Sequence, residues 1–199
     1  NGLDFDDLLV KLLELLADHD RVLETLQQRF RFVLIDEYQD TNRAQYYIAR
    51  LLSGDRRNLH VTGDPDQSIY SWRGADINNI LDCEKDYEEA RVVKLEQNYR
   101  SMGRILNAAN KLIANNSHVF EKRLWSDKGY GEQIKVVTAA DEDGEASKVV
   151  SRLIGHRFQS KCDYSDYAIL YRGNYQSRPL EKALREYHIP YYLSGGTSF

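Results

Sequence analysis

Cysteine is scarce in this sequence, and its scarcity limits the sites that the chain can hold. The 199 residues include only Cys83 and Cys162, which do not stand at a metal-ligand spacing, and the five histidines show no such spacing either. The pattern therefore indicates neither a disulfide framework nor a zinc site. We expect both cysteines to be free thiols.

The sequence also lacks a long apolar run, a positive net charge and an initiating methionine. Without about 20 consecutive apolar residues it has no membrane-spanning segment, and we expect no membrane partner. A net charge of −4 provides no bulk attraction for nucleic acid, so any DNA contact would need a local basic strip. The chain starts at Asn1 without a signal peptide, and we interpret it as a piece of a longer cytoplasmic protein.

The most informative stretch is residues 32–42, FVLIDEYQDTN. Its four apolar residues predict a strand of a parallel sheet that is buried on both faces. Asp36 and Glu37 then stand at the carboxyl end of that strand, where open α/β sheets carry their chemistry. There Asp36 would hold Mg²⁺, and Glu37 would orient or deprotonate the water that attacks a γ-phosphate. The alternative is that both acids only begin the next helix, with Asp40 or Thr41 as its N-cap.

A second stretch, residues 63–76 with the sequence GDPDQSIYSWRGAD, follows a predicted strand at 59–62. The neutral amide of Gln67 can contact a phosphate oxygen without competing for magnesium. Tyr70, Trp72 and Arg73 form an aromatic and arginine run that suits single-stranded DNA, whose bases stack on exposed rings. For Trp72 the alternative is packing in the core.

These two stretches, together with LEQNYRS at residues 95–101, resemble motifs II (Walker B), III and IV of the superfamily 1A DNA helicases. Residues 113–131 and 166–178 are similar to the UvrD/PcrA/Rep group of that family, and in particular to its Rep branch. The resemblance extends over essentially the whole chain. It implies ATP and Mg²⁺ as cofactors and DNA as the substrate, with Gln67 sensing the γ-phosphate.

The resemblance also implies roles for two residues of the LEQNYRS stretch, motif IV. Tyr99 would stack on adenine, because a ring face is what a purine needs. Arg100 would contact the γ-phosphate as an arginine finger from the opposing domain. The alternative for Arg100 is a surface ion pair with Glu96.

The implied fold is α/β, with parts of two RecA-like parallel-sheet domains of the P-loop NTPase type. We place the first domain at residues 1–91 and the second at 92–199. Further strands are predicted at 92–95, 133–138, 166–171 and 189–193, and helices at 3–17, 21–28, 42–52, 74–86 and 145–158. Arg172, Asn174 and the loop at Gly195 and Gly196 follow strand ends and would contact DNA, unless they are ordinary turn residues.

The function that follows is part of an ATP-dependent 3′–5′ DNA helicase. Its partners would be single-stranded DNA, 3′-tailed or forked duplex DNA, and replication or repair proteins. A phosphate-binding G-x-x-x-x-G-K-S/T loop is missing, so we expect no ATP hydrolysis by these residues alone. Two alternatives remain: the helicase part of a recombination helicase–nuclease, and a catalytically silent module that binds DNA or a partner protein.

Overall fold

The computed structural model describes residues 2–116 and 122–194, and the chain forms two compact units, Asn1–Glu132 and Gln133–Phe199. The helices and strands of the first unit are α1 (Phe5–Asp18), α2 (Asp20–Arg29), β1 (Val33–Ile35), α3 (Arg43–Ser53), β2 (Leu59–Val61), α4 (Asn78–Leu81), α5 (Cys83–Asp86) and α6 (Gly103–Ile113). Those of the second unit are α7 (Glu142–Ser160) and α8 (Ser177–Glu186).

A parallel strand pair organises the first unit. β1 pairs with β2 so that Val33 lies opposite Leu59 and Ile35 opposite Val61. The ladder continues past both strands, because the Thr62 amide donates to the Ile35 carbonyl at 2.8 Å. The strands predicted at 32–35 and 59–62 are therefore confirmed, and the residues that follow them share one edge.

The prediction that β1 is buried on both faces is wrong. Phe32 and Leu34 are 71% and 73% exposed, whereas Val33 and Ile35 are partly buried. Alternate residues of a strand face opposite sides of the sheet, and only one side of β1 is covered within the described residues.

Two helices of the first unit, α1 and α3, begin at capping boxes that satisfy backbone amides of their first turn. The Asp4 carboxylate accepts from the Asp7 amide at 2.8 Å at the start of α1. α3 is capped by Asn42, whose side chain accepts from the Gln45 amide at 2.9 Å. Asp40 or Thr41 as its N-cap is therefore wrong, because a 3-10 turn at Tyr38–Asp40 comes first.

In the described part of the second unit, a core lies between α7 and α8. Its buried residues are Ala146, Val150, Ala183, Leu184 and Ile189. The predicted helix at 145–158 is confirmed and extends further at both ends, as α7. It begins at Glu142 because the Asp141 carboxylate caps it, accepting from the Gly144 amide at 2.7 Å.

Several predicted elements did not form. Within the described residues there is no strand at 92–95, 133–138, 166–171 or 189–193, and the helix predicted at 74–86 is the two short helices α4 and α5. A β-rich pattern is a local signal, whereas a strand also needs a hydrogen-bonded neighbour. The result is a helix-rich mixed fold with a small parallel sheet. None of the helices within the described ranges combines the length and apolar character that a membrane-spanning segment needs.

Candidate functional site

Asp36 and Glu37 stand at the carboxyl end of β1, and both side chains are exposed. The Asp36 carboxylate accepts a hydrogen bond from the Glu37 amide at 3.0 Å. Glu37 has left-handed backbone angles, φ 51° and ψ 42°, which cost a residue with a side chain about 1 kcal/mol. Such strain is concentrated at functional sites, where surrounding contacts hold it in place.

Gln39 connects the end of β1 to the end of β2. This side chain is only 1% exposed. Its amide nitrogen donates to Glu37 Oε2 at 2.8 Å, and its amide oxygen accepts from the Asp64 backbone at 3.0 Å. Gly63 makes the room, since a Cβ there would lie 2.6 Å from Gln39 Oε1. Glu37 and the turn after β2 are therefore joined through one buried amide.

The Asp64 carboxylate is the centre of the turn that carries Gln67. It accepts from the Gln67 side-chain amide at 2.7 Å and from the Asp66 backbone at 3.0 Å. Lys122 forms ion pairs with Asp64 and, at 3.0 Å, with Asp66. Asp64 is also the N-cap of the 3-10 turn Pro65–Gln67.

Opposing effects act on the ionisation of this ion pair. Burial favours the neutral form of Asp64, but the hydrogen bonds from Lys122 and Gln67 outweigh it and lower the pKa of Asp64. Burial also opposes the charge on Lys122, and its bonds to Asp64 and Asp66 raise its pKa. The pair is therefore fully charged near neutral pH.

The aromatic run lies next to this turn. The rings of Tyr70 and Trp72 are 6.4 Å apart, and the Arg73 guanidinium lies over both, at 5.3 Å and 4.6 Å from their centroids. Trp72 is 70% exposed, which excludes the core-packing alternative. A hydrogen bond from the Asp76 backbone amide to the Thr41 carbonyl, at 3.0 Å, connects this segment to the residues after β1.

In the LEQNYRS stretch, residues 95–101, Tyr99 and Arg100 are exposed and the side chain of Asn98 holds the local backbone. The Asn98 side chain accepts from the Arg100 amide at 2.9 Å, and the side chains of Tyr99 and Arg100 extend to solvent. Within the described residues no ion pair joins Arg100 to Glu96, which accepts instead from the Arg123 amide at 2.8 Å. Nor does a described hydrogen bond or ion pair bring Tyr99 or Arg100 to the acids after β1.

In the second unit, Arg172 and Asn174 are exposed in a turn. The Gln176 side chain accepts from the Arg172 amide at 3.0 Å, and the Asn174 carbonyl accepts from the Ser177 hydroxyl at 2.9 Å. These backbone bonds are ordinary turn chemistry, while both side chains remain accessible. The loop at Gly195 and Gly196 lies outside the described residues.

The residues at the end of β1 would suit a magnesium ion that has few protein ligands. No group of three or more metal-binding side chains occurs in the described part of the chain. Magnesium bound with a nucleotide commonly uses one or two carboxylates, with waters and phosphate oxygens as its other ligands. A single exposed carboxylate such as Asp36 is therefore a suitable donor.

Two residues of this site were missed by reasoning from the sequence. Gln39 stands inside the FVLIDEYQDTN stretch, but a polar residue among polar neighbours gives no local sign that its side chain is buried. Lys122 is 58 residues from Asp64, so no local pattern connects them.

Comparisons with known proteins agree along the whole chain. The domain described as UvrD/REP helicase N-terminal domain matches residues 1–88, and the UvrD-like helicase C-terminal domain matches residues 93–199. Relatives named ATP-dependent DNA helicase Rep from Salmonella typhimurium and Escherichia coli are 56% and 55% identical over all 199 residues. ATP-dependent DNA helicase PcrA from Staphylococcus aureus is 49% identical over 198 residues. The chain spans 30% of each Rep relative and 27% of PcrA.

Proposed function

Because both halves of the chain match its domains, this protein belongs to the UvrD/Rep helicase family, and we propose that it is part of an ATP-dependent DNA helicase. The helicase moves 3′ to 5′ along single-stranded DNA. The observation that supports this most directly is the common edge of β1 and β2, where Glu37, Gln39 and Asp64 are hydrogen-bonded in series. The same edge is tied to the exposed rings of Tyr70 and Trp72.

In this proposal the acids after β1 divide the work of ATP hydrolysis. Asp36 holds Mg²⁺, which neutralises charge on the phosphates when it is bound. Glu37 orients the attacking water and accepts its proton. Gln67 contacts the γ-phosphate from the adjacent turn, and its position is fixed by Asp64 at 2.7 Å.

The DNA contact is made by the neighbouring aromatic segment. Bases stack on Trp72 and Tyr70, and Arg73 contacts the backbone or a ring face. Arg172 and Asn174 are additional DNA contacts in the second half of the chain. The substrates are single-stranded DNA and 3′-tailed or forked duplexes, and the protein acts in the cytoplasm with replication or repair proteins.

Residues 1–91 and 92–199 belong to two RecA-like domains in this proposal, with ATP bound between them. Tyr99 stacks on the adenine, and Arg100 stabilises the charge that develops on the γ-phosphate. Exposure of both side chains, and the absence of the Glu96 ion pair from the described residues, leaves them available for a nucleotide.

The test is the Glu37→Gln variant of the full-length helicase. We expect it to bind ATP and Mg²⁺ but to lose hydrolysis, because an amide cannot accept the proton. Asp36→Asn should also weaken the dependence of turnover on Mg²⁺. Glu88→Gln, at an exposed glutamate outside the site, is the matched control and should hydrolyse ATP normally. Native turnover by Glu37→Gln would refute the assignment.

A further inference from the structure

Gln39 is a buried polar side chain whose two amide atoms are both used. The amide nitrogen donates to the Glu37 carboxylate at 2.8 Å, and the amide oxygen accepts from the Asp64 backbone at 3.0 Å. A carboxylate only accepts and a backbone N–H only donates. The two partners therefore fix which end of the amide faces which, and the side chain cannot flip without losing both bonds.

The two partners of Gln39 belong to different parts of the site. Glu37 follows β1, whereas Asp64 follows β2 and also binds the Gln67 side chain at 2.7 Å. A displacement of the Asp64 backbone would therefore pull on Gln39, and Gln39 would turn the Glu37 carboxylate. The local chain fixes only the backbone of Glu37, through the bond from its amide to Asp36 at 3.0 Å.

Packing leaves Gln39 no alternative position. It is 1% exposed, and Gly63 lies so close that even a Cβ at that position would reach within 2.6 Å of its amide oxygen. A buried amide that lost its partners would carry a desolvation penalty, so the bonded arrangement is strongly favoured.

We infer that Gln39 is a positioning residue that makes the orientation of the Glu37 carboxylate depend on the turn carrying Gln67. The inference rests on the proposed role of Glu37 in ATP hydrolysis. It assigns the link between phosphate contact at Gln67 and water activation at Glu37 to one side chain. Gln39 itself touches neither the nucleotide nor the water.

The first experiment removes both hydrogen bonds while keeping the volume, with Gln39→Met in the full-length helicase. We expect kcat for DNA-stimulated ATP hydrolysis to fall by about 10- to 100-fold, as for other residues that orient a reacting group. KM for ATP should change much less, because Gln39 makes no contact with the substrate.

Asn110→Leu is the matched control. Asn110 also uses both amide atoms, donating to the Leu124 carbonyl at 2.8 Å and accepting from the Leu124 amide at 3.2 Å. It lies outside the proposed site, so its loss should reduce stability and leave kcat near native. Equal kcat losses in the two variants would mean that Gln39 is merely structural, and would overturn the inference.

A second variant, Gln39→Glu, separates the two hydrogen bonds. The new carboxylate can still accept from the Asp64 amide, but it faces the Glu37 carboxylate with a like charge. We expect low kcat at neutral pH and partial recovery relative to the native enzyme as the pH falls, because a protonated carboxyl can donate to Glu37. A deficit that is the same at every pH would overturn the inference.

The outcome for Glu37→Gln keeps the two proposals distinguishable. If Glu37→Gln is inactive and Gln39→Met retains native kcat, the proposed function stands and the role of Gln39 is wrong. If Glu37→Gln retains native turnover, the proposed function itself is wrong, whatever Gln39 does.

Discussion

Gly63→Ala is a small change that tests the packing around Gln39 directly. A Cβ at residue 63 would lie 2.6 Å from Gln39 Oε1, 2.8 Å from Ile80 Cδ1 and 3.2 Å from the Tyr38 backbone nitrogen. The first two distances are shorter than van der Waals contact, so both side chains must move. Gln39 has no solvent-filled space to move into, because it is almost completely buried.

The expected cost follows from these contacts. Adding a methyl group to a well-packed site costs about 1–3 kcal/mol of unfolding free energy. Displacing Gln39 also stretches its bonds to Glu37 and Asp64, so we expect the upper half of that range. ATP turnover by the full-length helicase should fall as well, because the Glu37 carboxylate loses its restraint.

Gly155→Ala is the control, since it makes the same chemical change in open space. Gly155 lies inside α7, and nothing lies within 4 Å of a Cβ built there. Alanine is favoured over glycine in a helix, so this variant should gain about 0.4–1 kcal/mol. Urea denaturation followed by circular dichroism measures both changes. Native stability in Gly63→Ala would refute the packing argument. So would changes in unfolding free energy that have the same sign in both variants.

Three further predictions concern DNA, the nucleotide and pH. Trp72→Ala should weaken single-stranded DNA binding by about 1–3 kcal/mol in a fluorescence titration and leave basal ATP turnover nearly unchanged; native affinity would contradict a stacking role. Arg100→Ala should lower ATP turnover by about 10³-fold with a smaller effect on ATP binding, and weakened binding at a normal maximal rate would contradict the finger role. Lys122→Met should destabilise the protein by about 1–2 kcal/mol near neutral pH. Folding lowers the pKa of Asp64 and raises that of Lys122. The difference in stability between the variant and the native protein should therefore shrink as the pH falls through the folded pKa of Asp64, and also as it rises through that of Lys122. A difference that does not depend on pH would contradict the ion pair.

The parallel pair could be predicted from the sequence because each strand carries its own signal. Val33–Ile35 ends at two acids, and Leu59–Val61 ends at a glycine turn. The predictions at 133–138 and 166–171 rested on similar composition, yet no strand formed in these described residues. Composition favours an extended backbone, but it does not provide the neighbouring strand whose hydrogen bonds make a sheet.

In the candidate site, too, the residues that could be predicted are those that depend on local sequence. The placement of Asp36, Glu37 and Gln67 near one edge follows from a general rule for parallel strands, so it could be predicted. Gln39 could not, because it is a buried polar residue among polar neighbours and lacks an apolar periodicity. Lys122 depends on a contact with Asp64 across 58 residues, which no short pattern encodes.

The bond between Gln67 and Asp64 has a consequence for how a phosphate can be detected. A carboxylate has no proton to donate, so Asp64 must face the nitrogen end of the Gln67 amide, as observed at 2.7 Å. That nitrogen carries two hydrogens, and Asp64 Oδ2 engages one of them. The second hydrogen can be given to a phosphate oxygen while the first stays in place. If Gln67 has the proposed role, it would therefore bind and release a phosphate without changing its rotamer.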